Sequence, residues 1–128
     1  MRAMRAERFA GYAALELVDM PKPVATEGKL LIRMTAAGVT PLDHTILSGQ
    51  FPMSTAPLVL GNEGAGVVED GDADFPTGAR VAFCGTGIFD DGAYSEYVAV
   101  NKDALFPVPE AVDDIAAAGL PVAYLTAY

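Results

Sequence analysis

A mainly β domain, a barrel or a sandwich, is the fold that this chain predicts, and three observations carry the prediction. Thirteen glycines and nine prolines are spread along 128 residues, so regular segments must be short. Lys29 to Ala36 (KLLIRMTA) alternates, with Leu30, Ile32, Met34 and Ala36 on one side and Leu31, Arg33 and Thr35 on the other. That is the period of a half-buried strand. Several further segments of four to eight residues lie between Gly, Pro or Asp turns.

The elements follow in chain order. Leu15 to Asp19 reads as a short strand that ends where Pro21 and Pro23 remove backbone donors. Lys29 to Ala36 is the best-patterned strand. Thr40-Pro41-Leu42-Asp43 then starts a helix: a threonine cap, proline at the first helical position, an acid in the first turn, and Gly49 placed to stop it about two turns later. Gly66 to Glu69, Arg80 to Phe83, Ala93 to Val100 and Leu105 to Val108 read as strands. Val112 to Tyr128 changes to an alanine-rich helical segment, capped by Asp113 and interrupted at Gly119-Leu120-Pro121. Nothing closes that last helix, which is the expectation for a chain cut from something longer.

Composition excludes several classes. A net charge of −9, from 17 acids against 8 basic residues, repels phosphate backbones, so nucleic acid is not an expected partner. No apolar run approaches the roughly 18 residues of a membrane span. One cysteine, Cys84, fits a reducing compartment, and the cytoplasm is the expected location.

The glycine-dense stretch LGNEGAGVVED, Leu60 to Asp70, raises the question of a phosphate loop. Its order is G-x-x-G-x-G rather than G-x-G-x-x-G, and Val67-Val68 continues it as a strand where a dinucleotide loop would open a helix. Asp70-Gly71-Asp72-Ala73-Asp74 begins like a calcium loop but has Phe75 and Val81 where an EF-hand needs glycine and a bidentate glutamate. His44, the only histidine, could pair with Ser48 or Cys84 for nucleophilic chemistry, or be merely exposed. One Cys and one His cannot fill a tetrahedral zinc site. Asp43 is explained by the positive end of its helix. Asn62 and Glu63, flanked by glycines at 61, 64 and 66 that permit close approach, form a candidate site, although those glycines can equally mark a bend in a barrel strand.

Four stretches in order, AAGVTPLDHTILSG (36–49), APLVLGNEGAGVV (56–68), DGAYSEYVAV (91–100) and GLPVAYLTAY (119–128), resemble the N-terminal, GroES-like catalytic domain of the medium-chain dehydrogenase/reductase superfamily. The resemblance covers nearly the whole chain. It implies a partly open, mainly antiparallel β-barrel with short peripheral helices, followed by a dinucleotide-binding domain, with the active site in the cleft between them. Residues 1–128 would then be one GroES-like domain truncated at the start of a linker. Where zinc-dependent members carry a cysteine and a histidine, this chain has Thr40 and Asn62, and the four-cysteine structural lobe is absent. Both features resemble the quinone oxidoreductase branch, which uses NADPH and no metal.

The resemblance implies a site. Thr40, Asp43 and Asn62 become the candidate catalytic residues, Thr126 the residue near the nicotinamide, and Phe51 and Glu63 the substrate-cleft residues, with no metal ligand. Two positions depart from that branch: Asp43 is followed one turn on by Leu47 rather than arginine, and Phe51 stands where a tyrosine is common. The expected function is the substrate-side half of an NADPH-dependent, zinc-independent reductase of quinones or conjugated enones, inactive alone because NADPH is held mainly by the missing domain. An enoyl thioester reductase fragment and a free-standing GroES-like binding module remain alternatives. Self-association through the exposed cleft face is a further expectation, with Leu120, Val122 and Leu125 partly uncovered.

Overall fold

The computed structural model describes residues 1–128 and is mainly β. Its strands are β1 (Arg2–Ala6), β2 (Leu15–Asp19), β3 (Lys29–Gly38), β4 (Leu58–Val59), β5 (Glu63–Asp70), β6 (Arg80–Cys84), β7 (Tyr97–Asn101) and β8 (Leu105–Pro107). Three helices, α1 (Pro41–Leu47), α2 (Asp114–Gly119) and α3 (Pro121–Ala127), lie between or after them. All named strand pairs are antiparallel, in two sheets ordered β2-β1-β4 and β7-β3-β5-β6-β8. The sheets do not close into a full barrel. An isolated bridge between Ala3 and Ser95 joins them, reinforced by Met4 N–H to Tyr94 O at 2.7 Å.

Sequence pattern accounts for the centre of this arrangement. The alternation of β3 turns Ile32 into a core of Val68, Val81, Phe83, Val98, Val100 and Leu105, while Arg33 and Thr35 face solvent. Phe83 and Ile32 are fully enclosed, and burying side chains of that size is the main source of stability here. A second cluster joins Ala6, Ile46, Leu47, Leu58 and Leu60, which seats α1 against the smaller sheet. Leu47, at the position where arginine would have been polar, is therefore a core residue.

Some boundaries differ from the sequence reading. The strand expected over Ala93 to Val100 is regular only over Tyr97–Asn101, because residues 93–96 bond in several directions: Ala93 N–H to Gly61 O, Tyr94 N–H to Leu60 O and Glu96 N–H to Arg2 O. The strand expected from Gly66 begins at Glu63. β1 and β4 were not expected at all. The acidic turn at Asp70 to Asp74 is clamped by Lys102, whose ammonium pairs with Asp72 and Asp74. No helix is long and apolar enough to cross a membrane.

Candidate functional site

The site begins with the cap of α1. Pro41 occupies the first turn, and Asp43 folds back so that its Oδ2 accepts the Thr40 backbone N–H at 2.9 Å and the Thr40 hydroxyl at 3.1 Å. The same oxygen accepts the Tyr94 phenol at 3.1 Å, and Oδ1 accepts the Gly61 N–H at 3.2 Å. Asp43 is 3% exposed, so four donors from three parts of the chain converge on one buried carboxylate. Burial first, and the charge of Asp43 next, push the Tyr94 phenol well above its ordinary range. Tyr94 is thus held as a donor to Asp43. The sequence offered no signal for it, because its partner lies 51 residues away.

Gly61 is where three backbone segments meet. Its φ of +110° suits glycine, and a Cβ there would lie 2.6 Å from Tyr94 N and 2.7 Å from Ala93 N. Asn62 follows, with Oδ1 accepting the Gly85 N–H at 3.1 Å while its own carbonyl accepts the same N–H at 2.9 Å. Glycine density at 61–66 therefore serves close packing of a bent strand and its neighbouring loop.

Glu63 opens β5, and its Oε2 accepts the Val122 N–H at 2.7 Å, which satisfies one of the free donors at the start of α3. This contact brings α3 across β5 and forms a cleft of about 550 Å³. One wall is Gly38 to Leu42 and the other is Gly119, Val122, Ala123 and Thr126, with Glu63 between them.

Of the residues expected at the site, the structure brings Thr40, Glu63 and Thr126 together in this cleft. Asp43 lies behind Thr40 and holds it. Asn62 supports the Gly85 loop and is not among the residues lining the cleft. Phe51 packs against the Ala6–Ile46–Leu60 cluster and is not among the residues lining this cleft. His44 is exposed, its ring lies tilted against Tyr12 with centroids 5.3 Å apart, and its imidazole bonds to neither Ser48 nor Cys84. Burial, followed by the charge of Glu63, pushes the Cys84 thiol up. No three or more His, Cys, Asp or Glu residues converge on a point that could hold a metal ion.

Small residues, Gly38, Gly119 and Ala123, and two hydroxyl-bearing residues, Thr40 and Thr126, are among those that line the cleft. No lysine or arginine lines it, so it offers no cationic side chain to a phosphate.

The sequence pattern of the family described as the alcohol dehydrogenase GroES-like domain matches residues 26–110. The chain belongs to this family. Among its relatives, the quinone oxidoreductase of Mus musculus is 35% identical over 132 residues, which take up 99% of this chain and 39% of the mouse protein. Among solved structures, the quinone oxidoreductase from Thermus thermophilus, described also in complex with NADPH, is 38% identical with a TM-score of 0.83. It is matched by 100% of this chain, over 39% of its own length. The Pseudomonas syringae quinone oxidoreductase is 30% identical with a TM-score of 0.89, over 98% of this chain and 38% of that one. The GroES-like domain thus spans about two fifths of the proteins it matches.

Proposed function

We propose that residues 1–128 form the substrate-side domain of an NADPH-dependent, zinc-independent reductase of quinones or conjugated enones. The observation that carries the reading is the cleft between Gly38–Leu42 and α3, which is lined by two threonines and by a single residue of the metal-ligating types, Glu63. NADPH, when bound, supplies a hydride. The chain's own residues supply the surroundings: Val39 and Leu42 give apolar walls, and Thr126 offers a hydroxyl that no protein group engages. Thr40 is fixed by Asp43; its hydroxyl proton is committed there, so toward a ligand it presents lone pairs. Thr40 and Asn62 are poor ligands for zinc compared with thiolate and imidazole, which supports a reaction without it.

The apolar residues of α3 support a second part of the proposal. Tyr124, Leu125 and Tyr128 are exposed, and Tyr124 and Leu125 line, with Phe106, Val108 and Leu120, an apolar groove of about 390 Å³. In the proposed enzyme this end of the domain packs against a dinucleotide-binding unit. The experiment compares this chain alone with a fusion to the dinucleotide-binding part of the Thermus relative, using naphthoquinone and an aliphatic enone with NADPH. The chain alone is expected to leave NADPH unoxidised, and the fusion to oxidise it. About one zinc per purified chain would overturn the zinc-independent reading. A folded fusion that turns over neither acceptor would overturn the substrate class.

A further inference from the structure

Glu63 is the only charged residue lining the cleft; the segments 38–42 and 119–126 bring no lysine, arginine or histidine to it. The residue is 4% exposed and forms no salt bridge. Its Oε2 is engaged by Val122 N–H, but Oε1 receives no hydrogen bond from the protein. No side-chain oxygen or nitrogen sealed from solvent lacks a partner, so Oε1 keeps some contact with solvent, and it lies against Gly38, which lines the same cleft. Gly38 makes room for it: a methyl group there would collide with the Glu63 carboxylate. The backbone of Gly38 is not left-handed, so glycine is needed for this space rather than for its φ.

An unpaired carboxylate oxygen in a concave, mostly apolar site focuses a negative field on whatever lies there. We propose that Glu63 makes this cleft selective for flat rings that carry or acquire a positive charge, a pyridinium above all, and closes it to rings bearing a carboxylate. The inference deepens the reductase reading, because a dihydropyridine that gives up a hydride becomes a pyridinium, and the field of Glu63 favours that product. Glu63 has a second role in the same geometry: through Val122 it holds the α3 wall, so charge and wall position are set by one side chain.

The test needs no turnover and no NADPH, so its outcome is separate from that of the fusion experiment. The isotope-labelled chain is titrated with three rings of one shape, the ring-N-methylated nicotinamide cation, neutral nicotinamide and anionic nicotinate, and amide shifts are followed at Thr40, Glu63, Val122 and Thr126. At low salt the cation should bind about fivefold more tightly than nicotinamide, a preference that shrinks as salt screens the charge. Nicotinate should leave the cleft amides unshifted. In Glu63→Gln, which keeps an acceptor for the Val122 N–H, cation and neutral ring should bind alike. Gly38→Ala, which displaces the carboxylate while retaining its charge, should weaken the preference and carries the test if Glu63→Gln does not fold. Equal binding of all three rings, no shift with any of them, or an undiminished cation preference in the variants would overturn the proposal.

Discussion

Asp43 concentrates four hydrogen bonds from Thr40, Gly61 and Tyr94, and at this scale its loss should be felt well beyond α1. Asp43→Ala leaves those donors buried and unanswered, and should lower stability by about 2–4 kcal/mol, against about 1 kcal/mol for Tyr94→Phe. Because both act through one carboxylate, the double variant should lose less than the sum. Urea unfolding of the three variants measures this; full additivity would mean that the Tyr94 phenol contributes independently. A second prediction concerns Cys84, which faces Glu63 across the β5–β6 register. With its thiol pushed up by burial and by that charge, Cys84 should alkylate slowly at neutral pH. Glu63→Gln should shift the pH profile of alkylation to lower pH. An unchanged profile would show that burial alone sets it.

Between elements, the contact of α2 with β6 depends on pH. Arg80 donates to Asp114 Oδ1 through Nε at 3.1 Å and Nη2 at 2.7 Å, and Nη2 also reaches the Val112 carbonyl at 2.6 Å. The Arg80 guanidinium holds the Asp114 carboxyl below the usual carboxylate range. A depressed value in the folded state means that the contribution is complete above the unfolded value of about 3.9 and is lost as pH falls through the folded one. Acidification should therefore release α2 before the central sheet, seen as amide exchange rising at residues 114–127 while Ile32 and Val68 stay protected. Simultaneous loss would show that α2 and the sheet unfold as one unit. Legibility varies between elements for similar physical reasons. β3 announces itself through alternation, and α1 through Thr40, Pro41, Asp43 and Gly49. β1 does not, because its inward residues are Ala3 and Ala6, too small to stand out from RAMRA. At the site, glycine density pointed to Asn62 and Glu63, whereas the Tyr94–Asp43 bond depends on distant segments meeting. The packing of Phe51 against Ala6, Ile46 and Leu60 joins segments distant in sequence and has no local signal.

Across the whole molecule, the larger core should govern stability, since Ile32, Val68, Val81, Phe83 and Val100 come from four different strands of one sheet. Phe83→Ala should cost about 3–5 kcal/mol in denaturant unfolding, far more than the same change at exposed Phe89. A cost below that of Tyr94→Phe would mean that the cluster around Ala6 and Ile46 dominates instead. The suture between the two sheets, Ala3 with Ser95 and Met4 with Tyr94, also sets a timetable for the chain as it is made. β1 is made before its partners, and β2 can pair with it promptly, but the other edge of β1 has no neighbour until Leu58–Val59 appears, and its link to the larger sheet waits for residues 94–96. Until residues 58–59 are made, this hairpin presents a bare edge, a state in which it can be captured by chaperones or by other nascent chains.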